Sequence, residues 1–284
     1  MNQIKPLFRW AGGKTKYIKH ITPLLKNEYS TYVEPFFGGG AVFCHVVNNS
    51  FADSYIINDV NAELILLYQT IKNNPDSIIT GASELEAKYF ETNDRKKYYY
   101  QVREAYWENN KSDYLYFLLK TCFNGVWQTC VASNGMFATP CGLLKEKTTF
   151  VDSQQIIDWS KVLQYTDITC SDFSNLNVPS NSLVYCDPPY RDSFTTYGTG
   201  FNDEDQIRTV NWCQQISSQK DVHVILSNKS DGVFFEKFNP TAFQYFDATH
   251  TAGRRKKHDD GSFTAKKARE VLMVWGYTPN TLGD

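Results

Sequence analysis

A short apolar run at residues 183–186 leads without a break into Asp187-Pro188-Pro189-Tyr190. Consecutive prolines cannot donate to a sheet ladder or continue a helix, so a strand must stop there and leave in an extended, rigid turn. The strand therefore ends on a carboxylate, a fixed carbonyl and an exposed aromatic ring. Such a set suits gripping an exocyclic amine on a flat ring. The carboxylate and a proline-region carbonyl accept the two N–H hydrogens, and Tyr190 stacks. A purely structural turn carboxylate is the plain alternative, and the tetrapeptide alone does not separate the two.

Strand–helix alternation surrounds this feature. Residues 32–36 read as a strand, followed by Gly38-Gly39-Gly40 and a helix through Val47. Residues 54–59, 167–172, 183–187, 223–227, 243–248 and 270–277 read as further strands. The pattern predicts an α/β fold with a mostly parallel sheet covered on both faces. Residues 61–160 break the pattern. Leu64, Leu67, Tyr68 and Ile71 fall on helical spacing, and residues 97–108 and 113–122 read as aromatic-rich helices. Tyr98, Tyr99, Tyr100, Tyr114, Tyr116 and Phe117 there read as core. Asn124-Gly125 and Ser133-Asn134-Gly135 are turn signals, the second lying between residues 127–132 and 136–139 and predicting a β-hairpin. The expected organisation is a sheet domain of residues 1–60 and 161–284, interrupted by a mainly helical insertion, 61–160, that carries the hairpin.

Composition narrows the function classes. The 284 residues are 42% hydrophobic and 15% aromatic, enough for a sizeable core. No run reaches the length of a membrane span and no signal peptide is evident, so a cytoplasmic protein is expected. The seven cysteines are scattered, odd in number and form no CxxC pair. That disfavours a zinc site or a disulfide framework. A net charge of −2 excludes a general nucleic-acid coat. It hides a basic run, Arg254-Arg255-Lys256-Lys257, with Lys266, Lys267 and Arg269 close behind, and a second at Arg95-Lys96-Lys97. Such runs read first as solvated faces. A basic strip on an otherwise acidic chain also fits a DNA-binding face, where phosphates supply most of the affinity.

Further motifs lie nearer the N-terminus. In Phe8-Arg9-Trp10-Ala11-Gly12-Gly13-Lys14 the glycines permit a tight bend, Trp10 a flat face and Lys14 a charge for a carboxylate. Val33-Glu34-Pro35-Phe36-Phe37-Gly38-Gly39-Gly40 sits between first strand and first helix, where doubly wound folds bind nucleotide-like ligands. It is neither GxGxxG nor a phosphate loop, which suggests a ligand without phosphate there. Asp59 ends the second strand, about twenty residues on, where an acid bonds ribose hydroxyls. A nucleoside bearing a charged, non-phosphate tail fits, and S-adenosylmethionine matches that description.

These residues resemble the Dam-type, or D12-class, DNA adenine-N6 methyltransferases. The matching motifs are residues 9–14, 34–40, Asn58-Asp59-Val60-Asn61-Ala62-Glu63-Leu64, Asn124-Gly125 and Asp187-Pro188-Pro189-Tyr190, in the family's order along nearly the whole chain. The resemblance implies a Rossmann-like S-adenosylmethionine-dependent sheet, with the insertion as DNA-recognition subdomain. It implies that Trp10, Ala11, Gly12, Lys14, Glu34, Phe36, Gly38, Asp59 and Asp187 form the cofactor site, with Asp172 reaching the cofactor adenine. Asp187, Pro188, Pro189 and Tyr190 would hold the target adenine. Ser227-Asn228 resembles a further element lining the active site. Residues 124–142, with Asn124, Gln128 and Asn134, would enter double-stranded DNA. The implied protein is a monomer or weak dimer of a bacterium or phage.

The implied reaction is direct transfer to N6 of a flipped-out adenine, needing neither metal nor covalent intermediate. Where GATC-methylating members usually carry an arginine after Asn-Gly, this chain has Gln128, then Thr129. Arginine pairs with guanine and glutamine prefers adenine, so the site is left open between GATC and a relaxed or different sequence. The alternatives are methylation of cytosine N4 or an RNA base, a silent DNA-binding protein, and a nicotinamide-dependent oxidoreductase. Asp at 187 favours adenine within methyltransferases. The intact tetrapeptide and cofactor loop disfavour a silent protein, and the missing glycine fingerprint disfavours the oxidoreductase.

Overall fold

Among the described residues, nine strands form a seven-stranded sheet and a two-stranded ribbon. The computed structural model describes residues 2–25, 29–142, 149–190, 200–230, 234–250, 256–257, 263–264 and 266–276. The strands are β1 (Tyr29–Glu34), β2 (Ala52–Asn58), β3 (Thr166–Thr169), β4 (Ser182–Cys186), β5 (Val222–Lys229), β6 (Ala242–His250), β7 (Lys256–Lys257), β8 (Phe263–Thr264) and β9 (Lys266–Trp275). Their order in the sheet is β3-β2-β1-β4-β5-β9-β6, and β7 pairs with β8 in a separate ribbon. Strands β1 to β5 are parallel, while β9 runs antiparallel to both β5 and β6. The chain builds outward from β1 in one direction and from β4 in the other. The carboxyl ends of these two neighbours therefore form a topological switch point, where open α/β sheets bind ligands.

Each face of the sheet has its own core. Leu183 and Tyr185 of β4 pack with Tyr32, Ile225, Leu272 and Val274, while Val184 and Cys186 join Val33, Val224, Leu226 and Met273. The first face is covered by α2 (Ala41–Asn48), α3 (Ala62–Asn73) and α7 (Ser153–Leu163), through Phe43, Tyr68 and Trp159. The second is covered by α8 (Asp203–Ser217), through Val210, Cys213 and Ile216. A sheet buried on both sides explains the nearly continuous apolar strands. A short helix, α1 (Ile18–Ile21), precedes β1. No helix among the described residues is long and apolar enough to cross a membrane.

Between α3 and α7 lie α4 (Pro75–Glu91), α5 (Arg95–Asn109) and α6 (Ser112–Thr121). Tyr89, Tyr99, Tyr106, Tyr116 and Phe117 are buried among them, so these rings of the tyrosine-rich stretch are core. Their cluster is continuous with the α3–α7 face of the sheet. Helix α4 was not anticipated. It begins at Pro75, with the Asn74 side chain accepting from Ser77 N, and carries Gly81 in its middle. A Cβ at Gly81 would stand 2.0 Å from Asp113 Oδ2, so this glycine permits the close approach of α4 and α6.

The chain reverses at residues 127–139, as expected, but without a regular ladder. Isolated antiparallel bridges join Thr129 to Phe137 and Cys122 to Cys141. A 3-10 turn, Val131–Ser133, forms the apex, and Asn134 and Gly135 take left-handed backbone, φ 51° and 84°. Hydroxyls replace ladder bonds: Thr139 Oγ1 accepts from Gln128 N at 3.0 Å and donates to Val126 O at 2.6 Å. Ser133 Oγ lies 2.9 Å from Cys130 O and 2.7 Å from Met136 O. Arg254, Arg255 and Tyr277 lie outside the described residues, and Lys256 and Lys257 form the backbone of β7.

Candidate active site

Asp187 follows β4 directly, beside the end of β1, and therefore stands at the switch point. Its Oδ2 accepts from Lys14 Nζ at 2.7 Å, and the same ammonium donates to Gly12 O at 2.8 Å. Lys14 is only 4% exposed. The other carboxylate oxygen, Oδ1, is buried without a hydrogen-bond partner among the described residues. A buried acceptor left unmade is costly, and in a native site it points to a donor that arrives with the ligand. Burial pushes the Asp187 carboxyl up to about 6, although the Lys14 ammonium opposes the shift.

The prolines and Tyr190 are anchored from behind. Gln206 of α8 donates to Pro189 O at 2.7 Å, and Asn228 Nδ2 donates to Gln206 Oε1 at 2.9 Å. The Tyr190 hydroxyl donates to Glu270 Oε2 at 2.7 Å and lies 2.7 Å from Ser227 Oγ. Lys14 Nζ sits 4.7 Å from the centre of the Tyr190 ring. Ser227 and Asn228, near the end of β5, therefore brace Tyr190 and Gln206. Gln206 and Glu270 were missed, being a polar residue in a helical pattern and an acid in a strand, with no local signal.

The N-terminal motif closes over the glycine loop. A Cβ at Gly38 would stand 2.5 Å from Trp10 Nε1, and one at Gly39 2.7 Å from Trp10 Cβ. Ala11 N donates to Gly125 O at 2.8 Å, which ties this motif to the Asn-Gly turn, and Trp10 lies 5.9 Å from Trp127. Glu34, at the end of β1, is buried. It accepts from the Tyr32 hydroxyl at 2.8 Å, and burial drives its carboxyl well above the usual range.

Asp59 binds the backbone around it: Oδ2 accepts from Gly38 N at 2.9 Å and Oδ1 from Asn61 N at 3.0 Å. Burial raises its pKa, and these N–H bonds oppose the shift. Phe36 and Phe173 pair with centroids 5.1 Å apart. Asp172 is held by Arg208 in a bidentate pair, at 2.7 and 3.0 Å, and by Ser174 N at 3.0 Å. Arg208 holds its carboxyl at about 2. The side chains fit S-adenosylmethionine: an acid at the β2 end for a ribose diol, an aromatic pair for a flat base and the Lys14 ammonium for a carboxylate.

Comparison with known proteins decides the family. Residues 10–251 match the D12 class N6 adenine-specific DNA methyltransferase family. The chain belongs to that family. It is 35% identical to the Type II methyltransferase M.MjaIII of Methanocaldococcus jannaschii, covering 96% of this chain and 99% of that protein. It is 31% identical to the Type II methyltransferase M1.LlaDCHI of Lactococcus lactis subsp. cremoris, covering 95% of each. A DNA adenine methylase of Vibrio cholerae shares 27% identity over 80% of this chain and 82% of its own. This D12-class chain is accordingly a DNA adenine-N6 methyltransferase that uses S-adenosylmethionine on a Rossmann-like sheet.

Of the residues expected to meet DNA, Asn124, Gln128 and Asn134 lie in the segment that follows α6. Asn124 and Asn134 are exposed with left-handed backbone, φ 55° and 51°. Gln128 is half-buried, its backbone fixed by Thr139 and Ala138. Phe123 and Val131, which the sequence reading passed over, are 54% and 100% exposed.

The Asp187 pKa gives the methyltransferase an expected pH profile. As the pH falls through about 6 the carboxylate is protonated, and Asp187 loses the charge with which it would accept a hydrogen bond from a substrate amine. The kcat/KM for DNA should fall about tenfold per unit below that point. A profile flat from pH 7 to pH 5 would contradict this.

Proposed function

We propose that Asp187–Tyr190 hold the extruded adenine, with residues 1–60 and 161–284 as catalytic domain and residues 61–160 as the insertion that reads double-stranded DNA. The buried, unpartnered Oδ1 of Asp187 carries this reading. The lone pair of adenine N6 is delocalised into the ring, so the amine is a poor nucleophile. Asp187 Oδ1 accepts one N6–H and the Pro188 carbonyl the other, which favours a more tetrahedral nitrogen with its lone pair available. Lys14 keeps the carboxylate from turning, and Gln206 keeps the Pro189 peptide in place. S-adenosylmethionine supplies a methyl already activated by its sulfonium. The protein's part is then alignment of two reactants rather than generation of a nucleophile. Stacking on Tyr190 offsets part of the roughly few kcal/mol spent in unstacking the base.

Trp10, Ala11, Gly12, Lys14, Glu34, Phe36, Gly38 and Asp59 form the cofactor side. Asp172 reaches the cofactor adenine while held by Arg208. Asn124, Gln128 and Asn134 read the DNA, and Arg254, Arg255, Lys256 and Lys257 meet phosphates.

Gln128 makes adenine, not guanine, the preferred base at the position it contacts. Unmethylated plasmid incubated with the protein and S-adenosylmethionine tests the reading, with products resolved by nucleoside mass spectrometry and single-molecule sequencing. N6-methyladenine at a site other than GATC is expected; methylation confined to GATC would remove Gln128 from the specificity argument. Gln128→Arg is expected to move the preference at one position towards guanine by about tenfold or more. An unchanged site in that variant would contradict the assignment.

A further inference from the structure

Glu270 lies on β9, beyond residue 251 where the family match ends. It is 1% exposed, and a buried carboxylate is retained only where partners hold it. In the antiparallel register it stands opposite Lys229 of β5 and Phe246 of β6, on an inner strand of the sheet. Its Oε2 accepts from the Tyr190 hydroxyl at 2.7 Å, and Ser227 Oγ of β5 lies 2.7 Å from that hydroxyl. Lys14, the residue that pairs with Asp187, is close enough to oppose the upward shift that burial imposes on Glu270.

The Tyr190 hydroxyl donates to Glu270 Oε2 and also interacts with Asp187, and Ser227 Oγ lies 2.7 Å from it. The hydroxyl is thereby pinned by side chains from two adjacent strands. Tyr190 itself sits four residues past the end of β4, where sheet packing no longer dictates its rotamer. A ring used as a stacking platform must keep its plane, and preorganisation of that kind comes from supporting contacts.

We propose that Glu270 is a positioning residue for methyl transfer: through the Tyr190 hydroxyl it fixes the plane of the ring on which the target base stacks, without touching the base itself. The proposal rests on the reading of Tyr190 as base platform.

A double-mutant cycle tests it on the full chain, with duplexes carrying the site mapped by plasmid sequencing. Glu270→Met keeps the side-chain length and removes the acceptor. It should lower kcat/KM for DNA about tenfold, as expected for loss of a hydrogen bond to a charged group. The fluorescence rise of 2-aminopurine placed at the target adenine should fall with it. The Kd for S-adenosylmethionine, read by calorimetry, should stay within about twofold of wild type. Glu270→Gln retains an acceptor and should stay within about threefold. In a Tyr190→Phe background, where the hydroxyl is gone, Glu270→Met should cost less than about twofold.

An equal cost of Glu270→Met in both backgrounds would overturn the proposal, as would a Glu270→Gln enzyme as impaired as Glu270→Met. Should Glu270→Met not fold, Glu270→Ala enters the same cycle. Tyr190→Ala separates the two layers: wild-type fluorescence and kcat/KM in that variant would defeat the platform reading itself, whatever Glu270 does.

Discussion

Asp187→Ala is expected to lower the rate of methyl transfer by about a thousandfold or more while the chain stays folded. The substitution removes the one buried carboxylate oxygen without a partner among the described residues, and with it the proposed acceptor for N6–H. Two structural consequences oppose each other. Lys14, 4% exposed, loses the carboxylate 2.7 Å away, which destabilises. The desolvation that lifts the Asp187 carboxyl to about 6 is relieved, which stabilises. The melting temperature should therefore move far less than the activity does. Asp187→Asn keeps an oxygen acceptor without the charge and should fall between the two, at about a hundredfold loss. Single-turnover transfer of labelled methyl groups, with a thermal melt of each variant, measures both. Activity above one-tenth of wild type in folded Asp187→Ala would sink the mechanism.

Gly125→Val is expected to remove activity from a distance and to cost about 3 kcal/mol of stability. Gly125 has φ 63°, a conformation that a β-branched side chain resists. Its added Cβ would stand 2.4 Å from the backbone oxygen of Arg9, which cannot move aside as a flexible side chain would. The displaced segment carries Ala11, bonded to Gly125 O, and then Lys14, bonded to Asp187. The Asn124-Gly125 turn is thus bonded to the segment whose lysine holds Asp187. Gly135 supplies the control: it too has positive φ, 84°, but no atom lies within 4 Å of its added Cβ. Gly135→Ala should cost only the backbone term, about 1 kcal/mol. Urea melts with DNA-methylation assays compare the two. Equal stability losses would mean that the contact with Arg9 contributes nothing.

Much of the fold could be read along the chain because local rules governed it. The apolar strands are buried on both faces, and Pro188-Pro189 could end β4 in only one way. The hairpin at 127–139 misled because Asn-Gly turn chemistry was clear, while the hydroxyls of Ser133 and Thr139, which take over ladder bonds, look like ordinary polar residues. Helix α4 was hidden by Gly81, a helix-weakening residue whose reason lies in Asp113, far along the sequence. The motifs named candidate residues but not their pairings. Lys14 and Asp187 are 173 positions apart; the segment of Lys14 packs on the glycine loop after β1, and Asp187 ends the neighbouring β4. Gln206 and Glu270 carry no local signature, since each bonds to a residue on another segment of the chain.

The most direct test of the central claim is a crystal structure of the protein with S-adenosylhomocysteine and a duplex containing its methylation site. The account predicts the target adenine outside the helix stack, with N6 about 3 Å from Asp187 Oδ1 and its ring over Tyr190. An adenine N6 placed elsewhere, with Asp187 Oδ1 bonded to a protein donor instead, would contradict it.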